Sequence, residues 1–205
     1  MFVESVAIGF GLLFLALLAL LHFLKPELDP KWRMISEYEI GRNGWLMRIA
    51  FFFWAGSIFS LLVKLVQVSR VSQVVVYVWL AVIGLCLMGA GAFKTDPIME
   101  VSNSFRNKMH TLCGMVVILT FPVMTTIACV AYSREDLLRG PVYLVVATVL
   151  TWMGMLAFFA SIAISRRIDP TAGRNGPTVY LGWPNRAMVL FYVVWIFAAS
   201  VGVGK

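Results

Sequence analysis

Long apolar runs separated by short polar segments dominate the chain. A helix needs about 20 apolar residues to cross the hydrocarbon of a bilayer. Six runs meet that length, at residues 2–24, 46–66, 74–93, 110–132, 141–165 and 187–203. No stretch shows the alternation of apolar and polar residues that membrane-spanning strands require. The pattern therefore predicts an all-α polytopic membrane protein, a bundle of six transmembrane helices.

The composition supports this prediction. Hydrophobic residues make up 60% of the chain and charged residues only 13%, whereas soluble domains carry about 25% charged residues. A chain with so little polar surface cannot cover a water-soluble fold. We expect a single six-helix transmembrane domain over residues 1–205, with no soluble domain.

The charge distribution predicts an orientation. Of the 17 lysines and arginines, 12 fall in or beside the loops that follow the first, third and fifth apolar runs, which we call the odd loops. Basic loops usually remain in the cytoplasm. Ser36 and Asn175 are therefore expected on the cytoplasmic side, and Met1 and Lys205 outside. The net charge of +7 points to the lipid bilayer and its anionic headgroups as partners rather than to nucleic acid.

Two short motifs occur twice. Gly-Arg-Asn-Gly stands at 41–44 and again at 173–176, and Gly-Trp-x-x-Arg stands at 44–48 and again at 182–186. The second motif precedes an apolar run in both copies. Tryptophan seats a helix end among the headgroups, so Trp45, Arg48 and Trp183 are candidate interfacial anchors. A paired polar site is the alternative interpretation.

Polar side chains of chemical interest concentrate in the odd loops, which hold seven of the ten acidic residues. Asp96 and His110 flank the third loop, so both should lie near one interface. A charge at the start of the sixth helix is costly unless it reaches a phosphate or carboxylate. We therefore expect Asp96 and His110 to cluster with Arg186 and either Glu37 or Glu39. The full set of candidates is Ser36, Glu37, Tyr38, Glu39, Asp96, His110, Asn185 and Arg186.

Pro122 lies in the middle of the fourth run. A proline removes one backbone hydrogen bond and kinks a helix. The hydroxyls of Thr125 and Thr126 are expected to satisfy the carbonyls that it frees.

Several of these motifs resemble those of a known family. Ile-Ser-Glu-Tyr at 35–38, Phe-Lys-Thr-Asp-Pro at 93–97, His110, and Gly-Trp-Pro-Asn-Arg at 182–186 are similar to the pattern of domain-of-unknown-function family nine-nine-eight. Lys94 departs from that pattern, which has proline there. The resemblance implies a six-helix integral membrane protein of a mostly prokaryotic family, in the inner (cytoplasmic) membrane. It implies no reaction.

Three functional hypotheses remain open. The first is a non-catalytic lipid-binding protein or an accessory subunit of a larger membrane complex. The second is a membrane-surface enzyme or small-solute binding protein in which Asp96, His110 and Glu37 do acid–base work. The third is a b-type haem protein ligated by His22 and His110, the only two histidines. Two histidines without a His-x-x-x-His motif do not predict a metal site.

Overall fold

The computed structural model describes residues 2–68, 73–97, 104–134, 141–171 and 178–203. Across these ranges the chain forms six α-helices and one short 3₁₀ helix, Ile35–Glu39, between the first two. The α-helices are α1 (Phe2–Leu24), α2 (Gly44–Val68), α3 (Val74–Ala92), α4 (Phe105–Arg134), α5 (Pro141–Ile168) and α6 (Gly182–Gly202).

All six α-helices are long and apolar enough to cross a membrane. The predicted fold class is confirmed, and the chain is an integral membrane protein. Each helix packs against the next one along the chain, and α6 closes the bundle by packing against α1 and α2. The two helices that begin with Gly-Trp-x-x-Arg, α2 and α6, bury the largest shares of their surface. The repeated motif therefore opens the two most central helices.

Two helices begin about one turn earlier than the apolar runs predicted. α4 begins at Phe105 rather than at residue 110, and α6 begins at Gly182 rather than at residue 187. Both first turns are polar, so an apolar run cannot detect them. His110 consequently lies in the second turn of its helix. Arg186 lies inside α6 rather than ahead of it, where it faces the first loop.

The proline in α4 is compensated differently from the prediction. Pro122 has no N–H to donate to the carbonyl of Ile118, and the Tyr192 hydroxyl of α6 donates to that carbonyl instead, at 2.7 Å. The Thr125 and Thr126 hydroxyls both donate to the carbonyl of Pro122 itself. The threonine prediction was therefore wrong for the carbonyl that Pro122 frees. A hydroxyl from another helix donates to that carbonyl instead.

The end of the bundle opposite the odd loops is held by one buried lysine. Lys64 of α2 forms an ion pair with Glu4 of α1, with Nζ 2.6 Å from Oε1, and also donates to the carbonyl of Ser200 in α6. One cation thus connects α1, α2 and α6. The odd-loop end is built on a larger set of contacts.

Candidate functional site

The 3₁₀ helix of the first loop is held at both ends by side chains from other helices. At its start, the backbone N–H of Ile35 donates to Oδ1 of Asn185 in α6, at 3.0 Å. At its end, the Lys25 ammonium donates to the carbonyls of Tyr38 and Ile40. Burial lowers the pKa of Lys25, because water no longer stabilises the ammonium. The loop is therefore fixed between α1 and α6.

Arg186 of α6 is the centre of the first polar cluster. Its side chain is only 8% exposed, yet the guanidinium makes five hydrogen bonds. It donates to Nε2 of His22 at 2.8 Å and to the Tyr38 hydroxyl at 3.0 Å. The other acceptors are the carbonyls of Pro30, Arg33 and Gly182. All five acceptors are neutral. Arg186 therefore joins the first loop to α1 and α6 through hydrogen bonds to neutral groups rather than through ion pairs.

Glycine in the repeated motif allows the loop backbone to approach the helix start. A Cβ on Gly44 would overlap the carbonyl of Glu39, and a Cβ on Gly182 would overlap the carbonyl of Pro30. Any other residue would push the first loop away from α2 or α6. The glycines explain why this motif opens the two helices that contact the loop.

The tryptophans of the motif are exposed, and in the second copy the Arg186 guanidinium lies 5.8 Å from the centroid of the Trp183 ring. Trp45 and Trp183 are 59% and 57% exposed, in the first turns of α2 and α6. Arg48 is also exposed, but its Nε donates to the carbonyl of Gly91 at 2.9 Å, much as Arg186 binds loop carbonyls. The exposed rings fit the proposed anchoring role, which stays a prediction. Arg48 itself serves as a cap for the end of α3.

Glu39 is the centre of the second polar cluster. Its side chain is almost fully buried, and Oε2 accepts the backbone N–H of Thr95 at 3.1 Å. His110 of α4 lies beside it, with Nδ1 3.6 Å from Oε2, but that nitrogen lies 3.0 and 2.9 Å from the carbonyls of Ala90 and Phe93. Since a carbonyl only accepts, Nδ1 carries the proton. His110 therefore caps the last turn of α3 and faces Glu39 without a direct hydrogen bond.

The third loop continues from Glu39 to an open groove. Asn107 of α4 holds the loop, because its Oδ1 accepts from the Thr95 hydroxyl and from the N–H of Asp96. The Asp96 carboxylate accepts the N–H of Ser104 at 3.4 Å. The groove has a volume of about 700 Å³ and is lined by Ile40, Lys94, Thr95, Asp96, Pro97, Ser104, Phe105 and Arg106. It combines two cations, one carboxylate and two hydroxyls at the odd-loop end.

The predicted cluster is thus divided in two. Glu39, Asp96 and His110 lie on the α3–α4 side of the first loop. Tyr38, Asn185 and Arg186 lie on the α6 side. The structure does not show the expected carboxylate on Arg186 among its hydrogen bonds, because loop carbonyls and neutral side chains already surround the guanidinium.

The remaining candidates of the first loop are Glu37 and Ser36. Glu37 forms an ion pair with Arg33, at 2.7 Å, and also accepts the N–H of Met34. Ser36 is half-buried in the 3₁₀ helix. Asn175 lies outside the described residues.

Several functional contacts could not be read from the sequence. Lys25 and Asn107 hold the first and third loops by binding backbone carbonyls and amides, which leave no pattern in the side-chain sequence. In the sequence, Thr95 is distinguished only as part of the Phe-Lys-Thr-Asp-Pro segment. Its place within a motif of the suspected family was the one available signal.

The two histidines do not fit a haem in this arrangement. Nδ1 of His22 bonds the carbonyl of Leu18 at 2.7 Å, and Nε2 accepts from Arg186. With both ring nitrogens engaged, His22 offers no lone pair to iron unless the Arg186 contact is broken. Among the described residues, no group of three His, Cys, Asp or Glu side chains is placed to hold a metal ion.

Comparison with known proteins identifies the family. The sequence profile described as "Protein of unknown function (DUF998)" matches residues 8–202. The chain belongs to this family, as its motifs suggested. Neither the curated proteins nor the solved structures gave a match.

Proposed function

We propose that this DUF998 protein is a non-catalytic membrane protein that binds the phosphate of an anionic lipid headgroup in the groove beside the third loop. The observation that carries the proposal is that two exposed cations line that groove. Lys94 lies just after the end of α3 and Arg106 in the first turn of α4, and both line the same cavity of about 700 Å³. Phosphate recognition requires this combination of positive charge and donors.

The other lining groups support a phosphate ligand. Thr95 and Ser104 place two hydroxyls in the groove. Among the described lining residues Asp96 is the one carboxylate, and it accepts the Ser104 N–H. These described residues together carry a net positive charge.

The position of the groove favours a lipid over a soluble phosphate. Phe105, which lines the groove, is 70% exposed in the first turn of a membrane-spanning helix. An exposed phenylalanine ring at the end of a membrane-spanning helix has no polar group, so it favours contact with acyl chains over water. A headgroup in the groove would leave its acyl chains beside the apolar surface of α3 and α4.

The proposed location is the inner membrane of a prokaryote, with the odd loops in the cytoplasm. The excess of lysine and arginine in those loops supports this orientation, and a cytoplasmic leaflet rich in anionic lipid would supply the ligand. A cysteine placed at Ser36 should be inaccessible to membrane-impermeant labels in intact cells. Labelling from outside would reverse the orientation.

The experiment measures lipid binding by the full chain in detergent, using native mass spectrometry with phosphatidylglycerol and phosphatidylcholine. Lys94→Gln combined with Arg106→Gln should weaken phosphatidylglycerol binding by about thirtyfold, since each cation near a headgroup is worth about 1 kcal/mol. Arg134→Gln is the matched control, because Arg134 is exposed at the opposite end of the bundle and should not matter.

Two outcomes would contradict the proposal. Equal affinity of the double variant and the wild type for phosphatidylglycerol would remove the groove from lipid binding. Competition by inorganic phosphate at the same concentration as the lipid would point to a soluble phosphate ligand instead. Co-purification of another chain in the same preparations would favour the accessory-subunit role.

The catalytic alternative has less support. Glu37 is bound to Arg33, and His110 donates to backbone carbonyls, so the two are held by different neighbours. An acid–base pair acting on one substrate must converge on one position. Only Asp96 of that set lines the groove.

A further inference from the structure

The Glu39 side chain is buried in a way that disfavours a negative charge. It is 3% exposed, and only Oε2 has a hydrogen-bond partner, the N–H of Thr95. Within the described residues Oε1 is buried and has no partner. Burial of an ionised carboxylate is costly unless charges and hydrogen bonds compensate it. One backbone donor is weak compensation.

The neighbouring cations are committed elsewhere. Arg48 of α2 donates to a carbonyl at the end of α3, and Lys25, the residue after α1, donates to the carbonyls of the residues before and after Glu39. His110 of α4 directs its proton to the end of α3, and Lys94 lines the groove. Burial raises the pKa of Glu39 to about 8, although the Thr95 amide and the charges of Arg48 and Lys94 oppose this rise.

Glu39 is one hydrogen bond away from the groove. Thr95 donates its N–H to Glu39 and lines the groove together with Lys94. A proton on Glu39 leaves the full charge of Lys94 available to a phosphate. Loss of that proton places a negative charge directly behind Thr95 and offsets the attraction. By thermodynamic linkage, an anion in the groove must equally favour the proton on Glu39.

We infer that Glu39 is a proton-binding site, and that its neutral form is the one that retains an anionic headgroup in the groove. The inference about retention rests on the proposed function, whereas the proton site itself does not. The protein would thereby bind anionic lipid in a manner that depends on the local pH. The described lining of the groove contains no histidine. The experiments must therefore distinguish titration of Glu39 from titration of the adjacent His110.

The first measurement is phosphatidylglycerol binding by the detergent-solubilised full chain between about pH 6 and about pH 9.5. Wild-type affinity should fall by about fivefold or more as the pH rises through 8, which is the lower range of typical coupling between sites. Glu39→Gln keeps the size of the side chain and cannot ionise, so its affinity should stay high throughout. Asp96→Asn is the control, because it changes the charge of the groove but leaves Glu39 in place. It should shift the affinity and keep the pH dependence.

The second measurement detects the proton without any lipid. Infrared difference spectra should show the carbonyl stretch of a protonated carboxyl group at neutral pH. That band should disappear at alkaline pH and be absent in Glu39→Gln. His110→Gln should retain the band, since the proton sits on the carboxyl group.

The outcomes separate the two claims. Absence of the band in the folded wild type at neutral pH overturns the proton site. A band with lipid binding that is independent of pH overturns the coupling to the groove. A band in a protein that binds no phosphatidylglycerol at any pH supports the proton site and contradicts the proposed function. A band together with pH-dependent binding that Glu39→Gln abolishes supports the whole inference.

Discussion

Tyr38 and Glu39 are neighbours in one 3₁₀ helix, yet they belong to regions that treat ionisable groups differently. On the α6 side, Tyr38 accepts from Arg186, a buried cation with five hydrogen-bond acceptors. On the α3–α4 side, Glu39 is a buried acid with one bonded oxygen and, within the part of the chain that the structure describes, one oxygen without a partner. The first region solvates its charge with protein dipoles. The second region favours loss of the charge.

The difference follows from the chemistry of the two side chains. A guanidinium retains its proton under all physiological conditions and offers five donors, so the loop must supply acceptors for it. A carboxyl group can become neutral by taking up a proton, and then needs much less compensation. Burial also raises the pKa of the Tyr38 hydroxyl, which keeps that acceptor of Arg186 neutral. The contrast suggests a structural role for Arg186 and a titrating role for Glu39.

The largest expected effect is the loss of Arg186. Arg186→Met would leave His22, Tyr38 and three backbone carbonyls without their donor. We expect the free energy of unfolding to fall by about 3–5 kcal/mol, measured by thermal or denaturant unfolding in detergent. Arg186→Lys keeps the charge but not the planar set of donors, and should recover only part of the loss. A Met variant as stable as the wild type would show that the cluster does not hold the loop.

The pH dependence of stability should come from the other region. Unfolded Glu39 ionises near its ordinary pKa of 4.5, whereas folded Glu39 holds its proton up to about 8. Between these values the folded state binds more protons, so the free energy of unfolding should fall as the pH rises. We expect a fall of about 3–5 kcal/mol in total that is largely missing in Glu39→Gln. An identical pH profile for the two proteins would contradict the assignment.

Substitution of the glycines in the repeated motif tests how closely the first loop must approach α2 and α6. Gly44→Ala should displace the loop near Glu39, and Gly182→Ala should displace it near Pro30, since each new Cβ would overlap a backbone carbonyl. Each substitution should cost about 1–3 kcal/mol of unfolding free energy, as overpacking does elsewhere. Gly9→Ala in α1 is the control, because a Cβ at that position meets nothing within 4 Å. A stable Gly182→Ala variant would mean that the loop is free to move away from α6.

The fold could be predicted from the sequence because lipid imposes the pattern. Each helix must be an apolar run of sufficient length, so the number of helices and the fold class follow directly from the sequence. The polar first turns of α4 and α6 were not predicted, because charged residues such as Arg106 and Arg186 interrupt the apolar runs. Helical geometry at those positions depends on contacts with loops rather than on hydrophobicity.

The candidate site was harder to predict than the fold. The polar residues were predicted to lie near one interface, but their partners could not be assigned from the sequence. The cost of a charge at the start of the sixth helix predicted a carboxylate partner for Arg186, whereas the structure surrounds Arg186 with loop carbonyls. Every sequence has such carbonyls, so they carry no signal in its side chains. The close approach of the loop to Gly44 and Gly182 was equally invisible until the loop was placed.

The smallest expected effect is the loss of one neutral hydrogen bond between two helices of the bundle. Tyr192 lies in α6, as Arg186 does, but it supplies a single donor, to the carbonyl that Pro122 leaves free in α4. Tyr192→Phe should lower the free energy of unfolding by about 0.6 kcal/mol, the average for such bonds between transmembrane helices. Pro122→Ala would restore a backbone donor to the Ile118 carbonyl, so the same Tyr192→Phe substitution should cost less in that background. A double-mutant cycle in detergent measures this coupling directly. Full additivity would show that the tyrosine hydroxyl does not compensate for the missing N–H of the proline.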